Sequence, residues 1–391
     1  MTTIGERIRE LRAGWMTQAD LAAAADVSLS LIRKLEQGQR HTASIGSLHR
    51  IARALDVDLT ALLNKPASMP SGDPNSGVVA IRNALTSVDS LLGEATGEGD
   101  PASLDEAARV VTYAWGSYWG GHLEALGTLL PIGLAQLRAT ARAVDSPTAY
   151  ELLAQLYTVT RCTSTRLGQP DLAWLAIRNA VDAAGRGNDP LLAAMVRSSV
   201  AHQLLTQGRY DESLTVSMHA ADGIEPSGDV PAAHLSAYGH LLLMAASAAG
   251  RNMQEDHAVD LLNTSMEYAR RIGADRNDYE TSFGVSQVTM QTVDVRVVTE
   301  NYAEALNAAD RLPKDTRLPV VSRARNLYDQ ALAHTRLGND QRALDAVLAA
   351  EHMAPDMMRY HTLPRQVVAE LMQRGKTRRL RDLARRLGVA N

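Results

Sequence analysis

The sequence predicts an all-α protein, with a compact helical head ahead of a longer body of stacked helical hairpins. Three observations carry this. Runs of Ala, Leu, Arg and Glu replace aromatics, which make up only 4% of the 391 residues and include a single Phe; unbranched side chains lose little freedom in a helix. Apolar residues near the N-terminus recur at helical spacing rather than in alternation. A phrase of Gly, polar turn and small residue recurs along the rest of the chain. At this length two or more structural units are expected.

In the head, TIGERIRELRA (3–13) places Ile4, Ile8 and Leu11 on one helical face. Thr17 is a suitable N-cap for a second helix, TQADLAAAA, with Leu21 and Ala22 turned to the core. Asp26-Val27 connects it to a third helix, SLSLIRKLEQ, capped by Ser28 and ended by Gly38. A fourth follows Ser44 with Ile45, Leu48, Ile51, Ala52 and Leu55 as its stripe, and a short fifth is expected around Leu59–Leu63. On the third helix Val27, Leu31, Ile32 and Leu35 form the inward face. Ser28, Leu29, Ser30, Arg33 and Lys34 form the outward one.

TQADLAAAADVSLSLIRKLEQGQR (17–40) resembles the helix-turn-helix of phage-repressor-like (Xre-type, lambda-repressor-like) DNA-binding domains, and ALDVDLTALL resembles that domain's closing segment. The resemblance covers about 60 residues, and it implies a five-helix domain on double-stranded DNA. In such motifs the second helix crosses the phosphate backbone and the third lies in the major groove. By resemblance Thr17 and Gln18 approach the backbone, and Gln18 also reaches a base edge. Leu29, Ser30 and Lys34, flanked by Ser28 and Arg33, then read bases, with Lys34 suited to guanine O6/N7 and Leu29 to a thymine methyl. Arg40, His41 and Thr42 precede the fourth helix, where side chains and free N–H groups hold phosphate. The family often pairs the positions of Arg12 and Glu36 as an internal ion bridge; independent surface charges are the alternative.

Charge agrees with a contact confined to the head. Residues 1–66 carry nine Lys/Arg against seven Asp/Glu, whereas the rest carries 31 against 37. An acidic body is not expected to wrap DNA or to sit on an anionic membrane. The lone Cys162 excludes an internal disulfide and a multi-cysteine zinc site. Without a long apolar run or a signal pattern, the expectation is a cytoplasmic protein with no membrane contact. KPASMPSGDPNSG (65–77) lacks periodicity and reads as a flexible linker, giving a head of 1–64 and a body of 78–391.

The recurring phrase reads WGGHLEA (119–125), LGQPDLA (167–173), QGRYDES (207–213) and LGNDQRA (337–343). TENYAEA (299–305) is a degenerate copy with Glu300 where Gly belongs, and AGRNMQEDHA (249–258) is a copy with an extra loop. Anchors at 120, 168, 208, 250, 300 and 338 are spaced more widely than the about 34 residues of a regular tetratricopeptide repeat. QGRYDES with Ala220 resembles that repeat's signature, which implies helix pairs stacked as an α-solenoid with a concave surface. The tail 374–388 reads as a basic capping helix.

On a regular repeat the groove positions would be Thr158 and Cys162, Ser198 and His202, His240 and Met244, Met290 and Asp294, and Tyr328 and Leu332. That set mixes apolar with hydrogen-bonding groups and has no run of Lys or Arg, so it suits a small organic ligand or a short peptide. Cys162, His202, His240, Asp294 and Tyr328 are its candidate ligand contacts. In YAWGSYWGGH (113–122), Trp115, Tyr118 and Trp119 either pack the first repeat or form an aromatic wall for a ligand.

No Gly-rich phosphate loop, nucleophile elbow or H-E-x-x-H motif is present, and no catalysis, cofactor or metal is expected. The combination resembles helix-turn-helix–tetratricopeptide regulators of the kind found in actinobacterial genomes. It implies a transcription regulator acting as a homodimer on a pseudo-palindromic operator and controlled by a small molecule or peptide. An adaptor whose body docks a protein partner, without an effector, is the alternative.

Overall fold

The computed structural model describes residues 3–14, 16–40, 43, 45–55, 57, 62, 76–92, 100–313, 316, 318–355, 358, 361–375 and 377–389, with backbone alone at 45, 46, 49, 76 and 89. Among them every regular element is a helix. None is long and apolar enough to cross a membrane.

The head has helices α1 (Ile4–Arg12), α2 (Gln18–Ala24), α3 (Leu29–Glu36) and α4 (Ile45–Ala54). Its starts are encoded locally. Thr3 with Glu6 and Thr17 with Asp20 form reciprocal capping boxes, and Ser28 accepts from the Leu31 N–H. The connection after α2 turns at Asp26 (φ 49°), and α3 ends at Gly38 (φ 70°). Ile8, Leu21, Ile32, Leu35, Leu48, Ile51 and Leu62 fill the core. At Gly5 a Cβ would lie 1.8 Å from the Leu35 carbonyl oxygen, so only glycine lets α1 approach α3 this closely. The expected fifth helix lies outside the described residues except for Leu62, which is helical and buried.

Most of the expected linker, residues 65–75, also lies outside the described residues. Its last two residues are helical, because α5 (Ser76–Leu85) begins there, followed by α6 (Val88–Leu92). The body then runs as antiparallel pairs. These are α7 (Leu104–Gly120) with α8 (Leu123–Val144), α9 (Pro147–Arg166) with α10 (Pro170–Ala184), α11 (Pro190–Thr206) with α12 (Tyr210–Asp222), and α13 (Ala232–Arg251) with α14 (Glu255–Ile272). After a 3-10 turn at Asp278–Glu280 come α15 (Val285–Val298) with α16 (Tyr302–Ala309), α17 (Val320–Arg336) with α18 (Asp340–Met353), and α19 (Thr362–Arg374) with α20 (Arg378–Arg386). Proline at the first position of α9, α10 and α11 sets their starts, where its missing N–H costs nothing.

Within each of the first six pairs the turn passes through one residue of positive φ. Gly168, Gly208, Glu300 and Gly338 hold that position as the phrase predicts. Two anchors move: the first turn uses Gly121 rather than Gly120, and the fourth uses Met253 rather than Gly250. Gly250 instead sits inside α13, where its missing Cβ admits Val295. The first helices of successive pairs pack side by side, and the array curves until α7 meets α17. The last pair caps it, burying Leu380, Leu383 and Leu387 on the inner face of the arginine-rich α20.

Candidate functional site

Two sites emerge, one on the head and one within the body. On α3, Ile32 and Leu35 are fully buried while Ser28, Ser30, Arg33 and Lys34 are exposed. This is the division a groove-reading helix requires. Leu29 departs from expectation: it is half-buried and packs against the head core, which limits its reach.

Thr17 is exposed but committed to its capping box, donating from Oγ1 to Asp20 at 2.7 Å. Gln18 is half-buried, and its amide donates to Glu36 Oε2 at 2.7 Å. Glu36 also receives Arg12, Nε on Oε1 at 2.7 Å and Nη2 on Oε2 at 2.8 Å. Arg12 and Glu36 therefore form the internal ion bridge, and Gln18 braces α2 against α3 through one amide N–H. Burial opposes the Glu36 charge, yet Arg12 and Gln18 hold its carboxyl below the usual range. Arg40 is exposed beyond the end of α3; His41 and Thr42 lie outside the described residues.

Residues 3–63 match the family model of a helix-turn-helix domain. No curated protein sequence matches the chain. Among solved structures, BtubC (BKLC) from P. vanneervenii aligns at 16% identity and TM-score 0.37, over 66% of this chain and 94% of its own. PlcR from Bacillus thuringiensis, solved with the peptide PapR7 and DNA, aligns at 12% identity and TM-score 0.31, over 94% and 99%. Such distant likeness carries nothing over to this chain. The helix-turn-helix head and the repeat-like body stand on their own helices.

In the body, the first helices of the pairs surround a cavity of about 560 Å³. Trp115, Tyr118, Trp119, Cys162, His202 and His240 all reach its wall, joined by Thr158, Ser198 and Met244. The aromatic stretch thus packs the first pair and also faces the cavity. Trp115 and Trp119 stack at 6.1 Å and 18°, with Tyr118 edge-on to each, packing the first pair while facing the cavity. Two expected contacts are displaced. Tyr328 is 0% exposed and lies in the core of the sixth pair. Asp294 is buried behind the wall, accepting from Arg251 Nη1 and Nη2 at 2.8 Å and from Arg325 Nη2 at 3.2 Å. Met290 is buried and Leu332 packs on a core, neither at the wall.

The sequence reading missed the arginines. Arg161, Arg166, Arg251 and Arg325 all line the cavity. They lie far apart in sequence, so no charge run announces them. Burial works against the charge on Asp294, but Arg251 and Arg325 hold its carboxyl below the usual range. Burial and the Asp294 charge push the neighbouring Asp329 carboxyl up to about 6, against the pull of Arg325. The histidines go the other way. Burial, with arginines nearby, holds His202 and His361 well below the usual imidazole range, and burial takes His240 down to about 4. His202 Nδ1 faces Arg161 Nη1 at 3.1 Å; a guanidinium only donates, so Nδ1 accepts and Nε2 carries the proton.

Also missed was the segment 273–284, which crosses from α14 to α15. Tyr279, Glu280 and Ser282 all have positive φ (52°, 59° and 50°), and all three line the cavity. Side chains fasten it: Tyr279 OH donates to Asp189, the Trp119 indole to Glu280, and Ser282 Oγ to Asn277. The single Phe283 plugs it in place, its ring where a Cβ on Gly239 would stand. Backbone strain of this kind persists only where surrounding structure enforces it.

Proposed function

We propose that the chain is a sequence-specific DNA-binding transcription regulator. Its Xre-type, phage-repressor-like head (1–64) is joined through 65–77 to a tetratricopeptide-like sensory body (78–391). The carrying observation is the polar outer face of α3, Ser28, Ser30, Arg33 and Lys34, on a helix whose other face is locked into the core. Lys34 is the principal base reader, and Arg33 and Arg40 supply backbone attraction. Two heads on a symmetric homodimer read half-sites about one helical turn apart, or a multiple of it. The protein works in the cytoplasm and needs no cofactor or catalytic residue.

A concave, partly closed and part-apolar cavity supports effector sensing, whereas a flat open face would better serve docking of a protein partner. A ligand there shifts the equilibrium between head arrangements only if it binds one arrangement more tightly. The test is selection of bound fragments from random DNA by the full-length protein, repeated with Lys34→Ala. The variant is expected to lose about 1–3 kcal/mol of discrimination at one or two base positions. Unchanged selectivity would remove α3 from the major groove.

A further inference from the structure

If the cavity is the sensory site, its electrostatics narrow what it senses. Of the four wall arginines, two are balanced. Arg251 and Arg325 share Asp294, and Arg325 also pairs with Asp329. The other two are not. Arg161 is only 7% exposed and reaches Ser199 Oγ at 3.2 Å and His202 Nδ1 at 3.1 Å, both neutral. Its buried Nε has no hydrogen-bond partner. Arg166 donates to Tyr118 OH at 3.0 Å and lies 5.3 Å from the centre of that ring.

Among the described residues, neither Arg161 nor Arg166 is in an ion pair. Glu280 is the sole carboxylate on the described wall, and it is taken up by the Trp119 indole and the Asn277 amide. A buried guanidinium without a counter-charge carries a desolvation cost that an arriving anion would offset. On the same wall as the two unbalanced arginines stand the near-parallel rings of Trp115 and Trp119, 6.1 Å apart.

We infer that the cavity takes a small organic anion, its charged head held by Arg161 and Arg166 and its flat apolar body laid on Trp115 and Trp119. The inference rests on the sensory reading of the body. A volume of about 560 Å³ suits a compact ligand. Carboxylate and phosphate heads both match a guanidinium fork, and an uncharged amide does not.

The test uses full-length protein and two dyes with one aromatic body. 8-Anilinonaphthalene-1-sulfonate carries an anionic head, and N-phenyl-1-naphthylamine carries none. The anionic dye is expected to bind at least about tenfold more tightly. Arg166→Gln and Arg161→Gln should each remove most of that preference while leaving the neutral dye within about twofold. Arg161→Lys should retain part of it. If Arg161→Gln does not fold, as judged by circular dichroism, the more exposed Arg166→Gln decides alone.

Competition then identifies the head. Displacement by 1-naphthoate or by 1-naphthyl phosphate supports the anion site, and the stronger competitor names its head group. Equal binding of the two dyes, equal competition by neutral 1-naphthamide, or Gln variants that keep the preference would overturn the inference. The two readings fail separately. Absence of DNA selection by the parent chain sinks the regulator and leaves the dye result intact, whereas lost dye preference with DNA selection retained sinks only the anion site.

Discussion

Glu36 shows how much of the head rests on one side chain. Its carboxylate is 3% exposed and joins Arg12 on α1, Gln18 on α2 and its own helix α3. Removing it strands the Arg12 guanidinium, and breaking a buried pair this way costs about 3–5 kcal/mol. Glu36→Ala should therefore speed amide exchange across α1–α3 while leaving exchange in α13 at the parent rate. Uniform exchange would show the bridge to be dispensable. In the body, His240 faces Ser198 Oγ at 3.1 Å and feels the nearby charge of Arg161, and burial lowers its pKa from 6.5 to about 4. The unfolded chain thus takes up a proton first as pH falls. The imidazole contribution is full above about 6.5 and declines toward about 4, with His202 and His361 acting in the same direction and Asp329, raised to about 6, opposing them below that pH. The thermal midpoint should drop between pH 7 and pH 5, and His240→Asn should flatten the slope. A pH-independent midpoint in the parent protein would mean that these imidazoles are not held neutral by the fold.

The turn before α16 tests how literally the repeat phrase governs the pairs. Glu300 is exposed and sits at φ 64°, where the other copies favour glycine. Left-handed backbone costs a non-glycine residue about 1–2 kcal/mol. Glu300→Gly relieves this and gains freedom only in the unfolded chain, so a net stabilisation of about 0.5–1 kcal/mol is expected by denaturant titration. A destabilised variant would show that Glu300 makes up for its own strain. Turns and caps of this kind were legible because they are local: Gly168, Gly208 and Gly338 announce themselves, as do Thr17 with Asp20 and Ser28 with the start of α3. Gly250 misled because glycine serves packing as well as turning, and here it makes room for Val295. Part of the cavity wall was legible for the same reason, since Cys162, His202 and His240 follow from counting back from a turn. Tyr328 and Asp294 obey the same count yet fall off the wall, because the sixth pair packs Tyr328 into its core and Asp294 turns to serve two arginines.

Closure of the array is what no local pattern encodes. Curvature accumulates over the first helices of the pairs until α7 reaches α17, where a Cβ on Gly121 would lie 3.9 Å from Val321. Trp119 packs against both the core of the first pairs and that of the last ones. Its indole N–H also holds Glu280 on the segment crossing the cavity. One side chain thus joins the two ends of the curve and the segment between α14 and α15, so the concave strips of separate pairs line one partly closed cavity. Trp119→Ala should cost about 2–3 kcal/mol, below the range for emptying a fully buried aromatic site because Trp119 is partly exposed. It should also separate α7 from α17, raising the radius of gyration in small-angle scattering and loosening the dye-binding cavity while α1–α4 keep their exchange protection. Unaltered scattering with intact dye binding would show that the ends are held by the backbone approach at Gly121 and not by Trp119.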